Sequence, residues 1–237
     1  MQRETQSPVP DHTGHSVAGR AGHQMAGSEF RQPPHVSATQ ETEARVAPIS
    51  RFVAQLQNRD GRGWLPDVPP TCGVDAKVLS VLRDPGKYTL TSGVLSAENR
   101  DPTTTAQRAL FELVSPRDAL PWNAHPWYRN ITGALRTHGL DTGAEVLADR
   151  IDLLPRLRVV LLQGNDAFAA WERVVRSRPR LVEERGIEVL RCFHPSPQAL
   201  ITSNASERQA RKLNRQRAYE RVAEVLATSA ATDSGRQ

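Results

Sequence analysis

A chain of 237 residues with a formal net charge of +5 holds one domain of ordinary size or two small ones, and makes a polyanion a reasonable partner. No run approaches the roughly 18 consecutive apolar residues of a membrane helix, and Met1-Gln2-Arg3-Glu4-Thr5 leads into no apolar signal region, so neither membrane anchor nor secretory leader is expected and a cytoplasmic location is. Cys72 and Cys192, the only cysteines, support neither a disulfide framework nor a four-cysteine metal or iron–sulfur site, and both read as reduced and structural.

Residues 1–45 are poor in aliphatic side chains and dense in Gln, Thr, Ser, Gly, Pro and His. They offer little apolar surface to offset ordering entropy and read as a disordered polar tail. His12, His15, His23 and His35 within it read as solvated residues and not as a metal site. Residues 46–228 are long enough for a single core, and 229–237 read as a short disordered C-terminal tail.

The first predicted helix covers Ile49 to Asn58, with Pro48 at its start and Phe52, Val53 and Leu56 on one face. After a Pro-rich connector, Lys77 to Leu82 reads as a strand that ends sharply at Arg83-Asp84-Pro85-Gly86. Asp101 caps the next helix, with Pro102 at its first position and Ala109, Leu110, Leu113 and Val114 on its buried side. A short strand near Ala119 to Trp122 follows, then a helix over Gly143 to Leu154 and a third strand, Arg158 to Gln163, running into Gly164. A helix over Asp166 to Arg176 turns Phe168, Trp171, Val174 and Val175 inward. The fourth strand, Ile187 to Arg191, leads into Phe193-His194-Pro195-Ser196-Pro197, and a long helix runs from Ser206 to Ala227.

Strands alternating with helices predict an α/β fold: a three-layer α/β/α sandwich around a four-stranded parallel sheet. In such sheets ligands bind beyond the carboxyl ends of the strands. Asp84 follows the first strand, Asn123 ends the second, Gly164 and Asn165 follow the third and His194 follows the fourth, so one edge collects the polar residues. A site is expected there.

Val81-Leu82-Arg83-Asp84-Pro85-Gly86, Leu120-Pro121-Trp122-Asn123, Val159-Val160-Leu161-Leu162-Gln163-Gly164 and His194-Pro195-Ser196-Pro197 resemble, in content, order and spacing, the motifs of the uracil-DNA glycosylase superfamily. The resemblance covers about Val78 to Leu200, and His-Pro-Ser-Pro is its most specific element. It implies hydrolysis of the bond between an extruded base and its sugar in DNA for base excision repair, by a monomer with no cofactor and no metal. It assigns Asp84 to stabilising the positively charged sugar or positioning the attacking water, chemistry that calls for a fixed carboxylate. His194 is assigned to donating to uracil O2 as the base departs as an anion. Asn123 is assigned to reading uracil, accepting from N3–H and donating to O4, a pattern that cytosine reverses. Arg83, Pro85, Gly86, Leu95 and Ser196 complete the expected substrate contacts.

Gly86 stands where the uracil-specific branch has the Tyr that excludes the thymine methyl, as in the mismatch-specific branch. Leu95 stands where the family stacks a Phe on the base, and Gln198 where it has a Leu wedge, with Leu200 two residues on. Each catalytic assignment has a plain alternative: a turn-forming Asp before Pro, a strand-end Asn bonding its own backbone, a His packed in a proline-braced turn. Asn99, Asp101 and Thr103 follow Asp84 closely, but helix capping accounts for Asp101.

Only Lys77, Lys87 and Lys212 among the 31 basic residues are Lys. Arg suits phosphate, although a codon bias would give the same composition. Arg208, Arg211, Lys212 and Arg215 share one helical face and are the expected phosphate contacts, a solvated face being the alternative. No Lys stands within the motifs to form a Schiff base with the sugar, which points to a monofunctional glycosylase. Two other functions compete: a protein with the same fold that binds DNA or a nucleotide without cutting, and a glycosidase of free nucleosides.

Overall fold

A computed structural model of the chain describes residues 38–130 and 137–234. The expected N-terminal tail through residue 37, and the last three residues of the C-terminal one, lie outside the described residues. Four strands, β1 (Val78–Leu82), β2 (Ala119–Asn123), β3 (Val159–Gln163) and β4 (Glu188–Cys192), form one sheet in the order β2-β1-β3-β4 with every neighbour parallel. The helices are α1 (Ala38–Leu56), α2 (Thr89–Ser92), α3 (Pro102–Leu113), α4 (Thr137–Asp152), α5 (Asn165–Ser177), α6 (Leu181–Arg185) and α7 (Ala205–Ser234).

Two apolar clusters make the sandwich three-layered. Leu79 and Val81 of β1 pack with α1, α4 and α5 on one face. Val78 of β1 and Val159 and Leu161 of β3 pack with Leu110 of α3 and Ala218, Tyr219 and Val222 of α7 on the other. The three strands β1 to β3 are buried throughout, which is why they read in sequence as unbroken apolar runs.

The main differences from the expected elements fall at helix ends. α1 begins at Ala38, inside the segment read as tail, and Pro48 lies within it. A proline there removes one intrahelical bond. The turn before it is instead tied to the following connector: Arg45 Nη1 donates to Thr71 O at 3.0 Å and to Asp75 Oδ1 at 3.1 Å, and Val74 N–H donates to Arg45 O. α4 begins at Thr137 rather than Gly143, and α7 runs to Ser234, past the boundary drawn at residue 228.

α3 starts as expected, with Asp101 accepting from the amides of Thr103 and Thr104 in a reciprocal capping box. Its buried face is turned from the expected one: Thr104, Gln107 and Leu110 face inward, whereas Ala109 and Leu113 are exposed. Residues 104, 107, 110 and 114 mark a stripe at helical spacing that mixes polar with apolar side chains, so apolar character alone misplaced it. No helix among the described residues is long and apolar enough to cross a membrane.

Candidate functional site

Alternation along parallel strands puts Ser80 and Leu82 of β1, Asn123 of β2 and Gln163 of β3 on the face toward α3 and α7. Leu82 and Asn123 are register partners at the carboxyl end. Pairing continues past the strands, with Ala124 N–H donating to Leu82 O at 2.7 Å and His125 N–H to Arg83 O at 2.9 Å. The loop carrying Asp84 is thereby stitched to the loop that follows Asn123. On the other side Gly164 N–H donates to Cys192 O, fastening the end of β3 to the end of β4 two residues before His194.

A cavity of about 770 Å³ opens at this edge, and its walls include Arg83, Asp84, Pro85, Gly86, Leu95, Asn123, His194, Ser196 and Gln198. All eight catalytic and substrate-contact positions expected around one base thus line one cavity, joined by Gln198 from the expected DNA contacts, although they are drawn from segments as far apart in the chain as Arg83 and Ser196. The cavity also takes in Lys87, Tyr128, Arg129 and Gln107, none of which the sequence reading had placed there. A Cβ on Gly86 would meet nothing within 4 Å, so this wall is open.

Asn123 is 1% exposed, and neither its Oδ1 nor its Nδ2 has a hydrogen-bond partner. Such a group costs about 1–3 kcal/mol per unmet donor or acceptor, and this one lines the cavity. Its backbone is held from behind. A Cβ on Gly143 of α4 would fall far inside contact distance of Ala124 O, so only glycine lets the helix press against the residue after Asn123.

His194 accepts a hydrogen bond at Nδ1 from Ser196 N–H at 3.1 Å, which leaves Nε2 to carry the proton of the neutral ring. Burial is the main cause holding its pKa down to about 4; Arg83 and Arg215 push the same way, and Asp84 opposes them. The imidazole is therefore a neutral donor at physiological pH. Gly164, at φ 97°, gives the loop its seat, since a Cβ there would stand 3.1 Å from His194 Cβ.

Asp84 is bound on both oxygens: Arg83 Nε donates to Oδ1 at 2.6 Å and Arg129 Nε to Oδ2 at 3.0 Å. Beneath the cavity a buried polar chain crosses the sheet. Gln163 Nε2 donates to Ser80 Oγ at 2.7 Å, Gln107 Nε2 reaches the same oxygen at 3.5 Å, and Tyr219 O–H donates to Gln163 Oε1 at 2.8 Å. It ties α7 to the floor of the site.

Three arginines of the basic face of α7 make contacts within the chain. Arg211 Nη1 donates to Ala199 O at 2.8 Å, Arg208 Nη2 to Thr202 O at 2.7 Å and Arg215 Nη1 to Pro195 O at 3.4 Å, while Asn214 Oδ1 accepts from Phe193 N–H. These side chains brace the loop that carries His194. Lys212 is exposed, and with Arg215 it borders a separate shallow depression against α3. None of the four lines the main cavity.

Cys72 and Cys192 are both free and buried, and burial raises their thiols to about 11 and about 12. Among the described residues no group of three or more His, Cys, Asp or Glu stands close enough to hold a metal ion. No protein-family model matches this chain, and no curated protein matches it.

Proposed function

We propose that this chain is a monofunctional DNA glycosylase that hydrolyses the N-glycosidic bond of uracil, or of a related deaminated or modified base, and leaves an abasic site for base excision repair. The observation that carries the reading is Asn123: a buried amide with both ends unmet, in the cavity that also holds a carboxylate and a neutral imidazole donor. Uracil offers the amide an N3–H to accept and an O4 to receive its donation, so binding removes the cost of the unmet groups. Cytosine presents the opposite pair and leaves both unmet.

The base enters by leaving the stack. As the C1′–N1 bond breaks, its electron pair goes to the base and positive charge grows on the sugar. His194 Nε2–H donates to the carbonyl that gains the negative charge, and a neutral donor suffices because that charge is largest in the transition state. The Asp84 carboxylate faces the sugar cation and orients a water; the water oxygen bonds to C1′ and its proton leaves with the base. Gln198, an exposed residue of the cavity lining, and exposed Lys212 are the contacts we assign to the strand outside the pocket. DNA is thus the partner, met by a monomer.

One observation favours a second reading, a binder that does not cut: Asp84 is already paired on both oxygens. Duplex and single-stranded oligonucleotides bearing uracil, thymine opposite guanine, hypoxanthine or 5-hydroxymethyluracil separate the two. The enzyme produces alkali-labile sites in strands that stay intact without alkali; tight binding with no such site in any of them selects the binder.

A further inference from the structure

Besides Asn123 the cavity holds a second buried amide that the mechanism leaves unused. Gln107 of α3 is 3% exposed and lines the cavity together with Leu82, Phe111 and Pro121. Its Nε2 lies 3.5 Å from Ser80 Oγ, and Ser80 stands two residues before Leu82, the register partner of Asn123. Gln107 therefore meets the sheet roughly 6.5 Å behind the strand end that Asn123 occupies.

The hydrogen of the Tyr219 phenol sets the sense of the polar chain that ends at this amide. Tyr219 is 2% exposed, burial raises its pKa above the ordinary phenol value, and among the described residues Gln163 Oε1 is the only hydrogen-bond partner of its hydroxyl. Gln163 thus turns Oε1 to Tyr219 and Nε2 to Ser80 Oγ, 2.7 Å away. Ser80 Oγ, already accepting, still has its own hydrogen to place, and its one other side-chain partner among the described residues is Gln107. A second donor arriving from Gln107 Nε2 would leave that hydrogen with no acceptor. An end-for-end turn of the Gln107 amide, which keeps its shape, lets Ser80 O–H donate to Oε1 and leaves both Nε2 hydrogens without a partner in the chain.

We propose that Gln107 is a second specificity-determining residue: its Nε2 donates to a carbonyl on the far edge of the bound base, O4 of uracil, and Tyr219 sets that sense through Gln163 and Ser80. This rests on the glycosylase reading and deepens it, from a base read by one amide to a base read by two. Asn123 Nδ2 serves one lone pair of O4 and Gln107 Nε2 the other. Cytosine turns an amino group toward the same floor, so donors face donors there. Gln107 touches the base, whereas Tyr219, packed between the sheet and α7, is a positioning residue.

The test uses the full-length protein and oligonucleotides whose target nucleotide carries 2′-fluoroarabinose, a sugar that resists loss of its base, with uracil, 4-thiouracil or cytosine attached. Fluorescence anisotropy gives the three affinities. 4-Thiouracil keeps N3–H for Asn123 but puts a weak acceptor in place of O4. The wild type is expected to bind uracil at least about 10-fold more tightly than 4-thiouracil, and Q107M to narrow that ratio about 5-fold, the scale of one neutral hydrogen bond. Y219F, which removes only the buried hydroxyl, is expected to narrow the uracil-to-cytosine ratio about 5-fold, because Gln107 then presents either end; a role in packing alone would weaken both strands equally.

Equal wild-type binding of uracil and 4-thiouracil, or an unchanged ratio in Q107M, overturns the reading role of Gln107, and an unchanged uracil-to-cytosine ratio in Y219F overturns the directing role of Tyr219. The wild-type base series and Y219F leave the Gln107 side chain in place, so they decide the matter even where Q107M does not fold. If strands with ordinary deoxyuridine release no uracil while the ratios move as expected, the glycosylase reading fails and Gln107 stands as a reader of a bound base.

Discussion

Asn123→Leu separates a recognition residue from a structural one. Leucine keeps the heavy-atom count and the branching of asparagine but removes both polar atoms. In the free protein Asn123 is buried with Oδ1 and Nδ2 unpartnered, and each such group costs about 1–3 kcal/mol. Crowding by the tetrahedral branch returns part of that gain, since overfilling a packed site costs about 1–3 kcal/mol. The expected balance is a stabilisation of about 1–2 kcal/mol, which for a domain of this size raises Tm by about 2–8 °C. The same change should abolish preference for uracil-containing DNA, because no polar group remains to answer N3–H and O4. Scanning calorimetry on both proteins and competitive binding of uracil against thymine strands measure the two effects. A Tm lowered by several degrees would refute the reasoning, because it would mean that the amide is already bonded in the free protein.

Gly143→Ala should lower Tm by about 4–10 °C, as the added methyl meets the backbone oxygen of Ala124 with no flexible chain to give way; an unchanged Tm in a thermal melt would show that α4 does not press on this loop. His194 links stability to pH: the unfolded imidazole binds a proton below about pH 6.5 and the folded one only below about pH 4, so the unfolded state binds more protons between those values and stability falls as pH drops. Denaturant unfolding should show the wild type losing roughly 3 kcal/mol more than His194→Gln between pH 7 and pH 4, and parallel profiles would contradict this. Arg150 lies buried with its guanidinium 4.2 Å from the centre of the Trp122 ring and no hydrogen-bond partner for its three nitrogens, so Arg150→Met should leave urea stability unchanged or raise it, whereas Arg150→Lys, a more strongly hydrated cation, should lower it; a large loss with Met would assign the guanidinium an indispensable contact.

The sheet was legible because β1, β2 and β3 are buried on both faces, which leaves short apolar runs bounded by turn formers. Parallel strands then send every loop after a strand to the same edge, so Asp84, Asn123 and His194 were placed together from local patterns alone. Helix ends were less legible where tertiary ties replace local ones. Pro48 resembles a first helical residue, and nothing local tells that Arg45 anchors the preceding turn to Thr71 and Asp75. Arg129 escaped notice because it stands six residues beyond β2 and its partner lies 45 positions earlier in the chain. The buried chain from Ser80 through Gln163 to Tyr219 was hidden for the same reason, its members lying 83 and 56 positions apart in the chain. On α7 helical spacing placed the arginines on one face but gave no sign of the carbonyls of Pro195 and Ala199 that two of them meet, because those lie in a loop 12 to 20 residues earlier.

The central claim, that Asp84, Asn123 and His194 act together on a base extruded from DNA, is tested most directly by single-turnover release of base from uracil-containing and matched cytosine-containing oligonucleotides. The wild type should release uracil and spare cytosine. Asp84→Asn should keep binding while slowing release, His194→Ala should slow it by roughly 100- to 1,000-fold, and Asn123→Asp should shift preference toward cytosine, whose amino group a carboxylate can accept. Release of uracil at full rate by all three variants would contradict this placement of the site, and no release by the wild type would contradict the activity itself.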